Sequence, residues 1–161
     1  VRLAQFAMLY FEQPSLFSKV ISGKNLEAFY ELFNVTGSEY WDKHYNFGIG
    51  SLQRKKRVSK SLMDLLVINT IIPIKFCYAV QQGRDISDEI LELAAKISSE
   101  ENAIVKKFNS LKKISKSAGH SQALLHLKTE YCDKNRCLQC AIGSSIIGTV
   151  AQPEVRKIME N

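Results

Sequence analysis

Cysteine and proline are scarce in this chain, tryptophan occurs once, and no long apolar run is free of polar residues. The four cysteines, at 77, 132, 137 and 140, do not punctuate the sequence as a secreted disulfide framework would. Reduced thiols or metal ligands in a cytoplasmic protein are therefore expected. The apolar stretch 62–80 contains Asp64, Asn69, Thr70, Pro73 and Lys75. Each charge there would cost about 2.5–3.5 kcal/mol at the centre of a bilayer, which argues for a buried core helix and against a membrane partner. A glycine-rich phosphate loop is missing, and His44, His120 and His126 sit in no nucleophile motif with serine or cysteine. The acids Asp85, Asp88, Glu89, Glu100 and Glu101 fall where helix starts favour negative charge, so no catalytic residue is assigned.

What remains is an ordinary globular composition, 45% apolar and 24% charged over 161 residues. Net charge is +6. Residues 1–84 carry 11 basic and 6 acidic groups, and residues 85–161 carry 11 and 10. The excess thus sits in the first half, around Arg54-Lys55-Lys56-Arg57 and Lys60. The chain opens on Val1 in the middle of a helical pattern, and a continuation upstream is expected.

Helical periodicity dominates, and the expected fold class is all-α: a compact multi-helix domain around a central, proline-kinked buried helix. Leu3, Phe6, Ala7 and Tyr10 form a first apolar stripe. Pro14 starts and Gly23 ends a short helix, and Asn25 caps a third with Leu26, Phe29, Leu32 and Phe33 inward. Ser38 caps a helix over 39–46, and 47–51 is a loop. The longest element runs from about Ser59 to Gln82, kinked or divided at Pro73, with Leu65, Leu66 and Ile72 buried and Cys77 in the core. Ser87 caps a helix carrying Ile90, Leu91, Ala94 and Ile97. Ser98 or Ser99 caps the next, with Ile104, Val105, Phe108 and Leu111 inward. After an interruption at Gly119, Ser121 starts another, with Leu124, Leu127 and Tyr131 inward. No strand is expected. Residues 1–143 are read as one domain and 144–161 as a tail with a short helix over 154–160.

Three clusters could carry chemistry. Cys132, Cys137 and Cys140 follow C-x4-C-x2-C spacing, which lets thiolates reach one zinc ion or iron–sulfur cluster. A fourth ligand would have to come from Cys77, His120 or His126. The plainer reading, three reduced thiols acting as small hydrophobes at a helix end, is favoured, and no cofactor is expected. Arg54, Lys55, Lys56, Arg57 and Lys60 could bind nucleic-acid phosphates, although a solvated loop is the simpler account. The run Tyr40-Trp41-Asp42-Lys43-His44-Tyr45-Asn46-Phe47 could stack unpaired bases, but packing in a core or an inter-domain seam is favoured.

Five blocks, taken in order, resemble one bacterial family. They are Arg2-Leu3-Ala4-Gln5, Ser38 through Tyr45, Ile68 through Pro73, Ser121 through Leu125, and Tyr131 through Gly143. The family is called domain of unknown function 2851. The resemblance implies the helical C-terminal part of a longer protein, spanning nearly this whole chain, behind a larger N-terminal region with an acidic, histidine-bearing motif similar to restriction-type nucleases. It assigns no activity to residues present here. The expected role is a non-catalytic accessory or interaction domain of a larger cytoplasmic protein, partnered by that N-terminal region. A nucleic-acid-binding module and a metal-bearing regulatory domain are the alternatives.

Overall fold

The computed structural model describes residues 1–151, with side chains to Gly148. The expected short helix over 154–160 lies outside the described residues. Contacts divide the chain into two compact units, Val1–Ile97 and residues 98 onward, where the sequence reading took 1–143 as one domain.

The first unit begins with α1 (Arg2–Glu12), α2 (Leu16–Ser22) and α3 (Leu26–Leu32). Asn25 caps α3, its side-chain oxygen accepting from the Ala28 amide at 2.9 Å. Gly23 closes α2 because nothing larger fits: a Cβ there would lie 2.6 Å from the Phe29 ring, which is fully buried. Then come α4 (Glu39–Asp42) and a small antiparallel hairpin, β1 (His44–Asn46) and β2 (Ile49–Gly50). This hairpin replaces the expected continuation of α4 to residue 46. Gly48 makes the turn at φ 71°, a left-handed conformation that glycine adopts without steric cost. Residues 51–59 return without regular structure, held to the 34–36 segment by a bridge between Thr36 and Arg57 and by the Val58 amide donating to the Val35 carbonyl at 3.2 Å.

A long helix over Lys60–Gln81 follows, made of α5 (Lys60–Leu66), a π-helical turn (Val67–Ile71) and α6 (Ile72–Gln81). Ser59 caps it. The expected kink or break at Pro73 is met by a π turn just before it. Pro73 therefore falls in the first turn of α6, where its missing N–H is tolerated best. The π turn also explains the buried face. Met63, Val67, Ile71, Lys75 and Ala79 recur every four residues and are all buried. In a plain α-helix that spacing would drift around the axis, but a wider turn takes up the extra residue. Leu65 and Cys77 consequently face outward, and Leu66 and Ile72 are half-buried, which corrects the expected face. By length and composition this helix could cross a membrane; in the fold its buried stripe packs with α2 and α3.

The unit ends with α7 (Ser87–Lys96). Its start is fixed by Asp85, whose carboxylate accepts from the Ser87 amide at 2.9 Å, in place of the expected Ser87 cap. Leu93 and Ile97 are buried, while Leu91 is exposed.

The second unit holds α8 (Ala103–Leu111), α9 (Ala118–His126) continued by a π turn (Leu127–Cys132), a 3-10 turn (Cys137–Gln139), and α10 (Ala141–Ala151). Asn102 caps α8 and Ser117 caps α9, instead of Ser98 or Ser99 and Ser121. Gly119 lies inside α9, and Leu111 is exposed. Serines organise this unit. Ser99 and Ser115 hydroxyls meet at 2.6 Å, and the fully buried Ser121 donates to the Ala118 carbonyl at 2.9 Å. The tail expected beyond residue 143 is helical as far as Ala151.

The buried face of the long helix makes a direct prediction. Ile71→Ala should cost about 2–5 kcal/mol, because its side chain is almost entirely enclosed. Leu65→Ala should stay within about 0.5–1 kcal/mol. Urea unfolding of the two variants decides the face, and equal losses would contradict it.

Candidate functional site

The basic segment does not behave as five equivalent cations. Lys56 is only 6% exposed. Its Nζ donates to the carbonyls of Trp41 (2.7 Å), His44 (3.0 Å) and Asp42 (3.3 Å) and to Ser51 Oγ (2.9 Å). It also lies 4.1 Å from the centre of the Tyr45 ring. An ammonium has three protons and no acceptor capacity, so this ring of oxygens uses all of them. Lys56 is therefore a structural pin that ties α4 and β1 to the returning 51–59 segment, which corrects the expected phosphate contact: its amine has no proton left for one. Its own carbonyl accepts from Gln5 Nε2 at 2.6 Å, which explains a buried glutamine on α1.

Lys60 is also engaged. It lies 3.3 Å from Asp64 and donates to the Tyr30 hydroxyl at 3.1 Å, while that hydroxyl donates to Asp64. Arg57 donates to Asn34 Oδ1 at 3.3 Å but stays exposed. Arg54 donates to the Tyr45 hydroxyl and Lys55 is exposed. Lys60 is exposed as well but paired with Asp64, which leaves Arg54, Lys55 and Arg57 as the exposed cations of the expected cluster outside an ion pair.

The aromatic run is not a core. Tyr40 stacks on His44, ring centres 4.0 Å apart and planes within 3°. His44 Nδ1 donates to the Tyr40 carbonyl at 2.8 Å, which fixes that stack. Trp41 packs edge-on against Tyr40 at 5.1 Å and Phe47 at 5.0 Å. The Gly48 amide donates to the Tyr40 hydroxyl at 3.0 Å, pinning the hairpin turn on the stack. Tyr40, Tyr45 and Phe47 are all exposed.

In the second unit Cys132, Cys137 and Cys140 line one cavity of about 220 Å³ with Phe108, Leu127 and Tyr131. Cys140 is buried and the other two are exposed. Gly143 allows α10 to approach the turn, since a Cβ there would lie 2.4 Å from the Cys137 carbonyl oxygen. Among the described residues no group of three histidine, cysteine or acidic side chains is arranged to hold a metal ion. His120 and His126 line a neighbouring, mainly apolar cavity of about 460 Å³ with Leu124, Tyr131 and Ile142. His120 Nδ1 accepts from the Lys116 amide at 3.2 Å. Cys77, the remaining thiol, is exposed on α6.

Sequence reasoning missed a second buried lysine. Lys75, 5% exposed, donates to the carbonyls of Ile21 (2.9 Å) and Gly23 (2.7 Å) and pairs with Glu89 at 2.9 Å. Its position in the every-fourth-residue stripe was the available signal. Lys56 had none, because its neighbours carry the same charge.

The family described as protein of unknown function, DUF2851, matches residues 1–103. The chain belongs to that family. The match covers the first three resemblance blocks and stops near the division between the two units; the blocks at 121–125 and 131–143 lie beyond it. No curated protein and no solved structure matches the chain. Membership gives the DUF2851 chain a family without an activity, so function must be argued from its surfaces.

Two outcomes test this geometry. Lys56→Met should cost at least about 2 kcal/mol in urea unfolding, because several carbonyls lose their donor at once. Lys55→Met should be nearly neutral. The second outcome concerns pH. Burial first, then the Asp64 carboxylate, raises the Tyr30 phenol above its ordinary 10.0; the hydrogen bond to Tyr30 chiefly raises Lys60 above 10.5. Raised folded-state values mean the stabilisation is complete below the ordinary values and is lost as pH rises through the raised ones. Tyr30→Phe should accordingly flatten the fall in urea midpoint between about pH 9.5 and 12, and an unchanged slope would reject the coupling.

Proposed function

We propose that this chain is a non-catalytic helical accessory or interaction domain of a larger cytoplasmic protein. The observation that carries the reading is α1. Its apolar stripe, Leu3, Phe6, Ala7 and Tyr10, faces solvent, and the face turned inward carries Gln5 and Leu9. Leu3 is 85% exposed, Tyr10 78% and the adjacent Phe11 81%. Single exposed apolar residues are ordinary, but a contiguous set along one helix face is the mark of a docking surface. Its partner is an apolar protein surface, namely the larger N-terminal region that the family resemblance implies. Four free thiols support a reducing compartment.

Leu3→Asp with Tyr10→Asp tests the reading, because neither side chain supports the fold. The double variant should keep its circular dichroism spectrum and its urea midpoint. Co-expressed with the N-terminal region, the unaltered chain should co-purify with it and the double variant should not. Retention of both chains by the variant, or no association at all, would remove α1 as the docking face.

A further inference from the structure

The β1–β2 hairpin presents a different surface, independent of α1. Phe47 stands at its tip, 81% exposed, with its ring against Trp41 and 6.1 Å from Tyr40. Tyr40 is held by its stack on His44 and by the hydrogen bond from Gly48. These rings are fixed in place yet open to water, which a purely packing role does not require. Beside them Tyr45 is exposed, with the Arg54 guanidinium 5.8 Å from its ring centre. Lys43, Arg54, Lys55 and Arg57 are exposed in this stretch, four cations to the two carboxylates of Glu39 and Asp42. Buried Lys56 fixes the spacing of these groups, since its amine joins the carbonyls of residues 41, 42 and 44 to the segment that carries Arg54 and Lys55.

We propose that this hairpin binds single-stranded nucleic acid, with bases stacking on Phe47 and Tyr40 and phosphates held by Lys43, Arg54 and Lys55. Held aromatic rings beside exposed cations are the two parts such a site needs: stacking tolerates any base, and the cations follow the backbone. A duplex fits less well. Its bases are already stacked, and its grooves are read by a helix or a long ribbon, whereas this hairpin has strands of three and two residues.

The chain's single tryptophan sits against Phe47 and serves as a reporter. The full chain is titrated with a 20-nucleotide oligothymidine and with a duplex of equal length, reading Trp41 emission and the anisotropy of labelled oligonucleotide. The single strand should quench Trp41 and bind more tightly than the duplex, and its affinity should fall with salt. Phe47→Ala, read by anisotropy because the change itself alters Trp41, should weaken binding by about tenfold. Arg54→Ala with Lys55→Ala should reduce the salt slope by about 1.4, for two lost phosphate contacts. Lys107→Ala with Lys113→Ala should leave binding unchanged. Absence of binding at low salt, equal affinity for duplex, or full affinity in Phe47→Ala would each overturn the proposal.

Discussion

A lysine amine buried among backbone carbonyls is the constraint on which the first unit depends. A charged group out of water must be paired and hydrogen-bonded. Lys75 meets that demand by gathering the last carbonyls of α2 and the carboxylate of Glu89 in the first turn of α7. The positive charge sits where the α2 dipole is negative, and Glu89 sits where the α7 dipole is positive, so both helix ends favour the arrangement. Gly23 belongs to the same device. Its lack of a side chain lets Phe29 press against the end of α2, and the Lys75 amine lies 5.9 Å from the Phe29 ring centre. Three helices are thereby fixed on the long helix by one side chain.

Lys56 repeats the solution in the 51–59 segment. There the carbonyls come from α4 and β1, and no carboxylate takes part. The consequence differs accordingly. Lys75 sets the packing of helices, whereas Lys56 sets the path of a surface segment and, through it, the exposure of Arg54 and Lys55. One buried cation in the basic run is what allows its neighbours to be presented in a fixed order.

The second unit is built on other terms. Among the described residues its enclosed side chains are mostly small or hydroxylic, Ala118, Ser115, Ser117 and Ser121, with Val105 and Cys140 beside them. Hydrogen bonds take much of the role that bulky apolar contacts hold in the first unit. The Asn109 side chain alone accepts from the amides of Ile114 and Ser115. Such a unit leaves apolar side chains lining open cavities, and Leu127, Tyr131, Cys140 and Ile142 border both of those described above.

Much of the mainly helical fold was legible in the sequence. Asn25 and Ser59 cap helices because a side-chain oxygen can reach a free amide three residues on, a purely local event. The helix end at Gln82 follows from equally local chemistry, whereas Gly23 is required by the Phe29 ring of α3. Facing directions were not local. The apolar stripe of α1 reads as core by periodicity, yet the pin at Lys56 draws Gln5 inward and turns Leu3 and Tyr10 to solvent. The π turn at 67–71 rotates everything beyond it, which moved Cys77 outward and Lys75 inward. The aromatic run and the basic run were both visible as composition, but their division into pin, paired residue and exposed cation was not. Lys55 and Lys56 are chemically identical neighbours. Sequence determined that a charge stands at each position; only the tertiary structure, by surrounding one amine with carbonyls from distant residues, decided which charge is free to meet a partner.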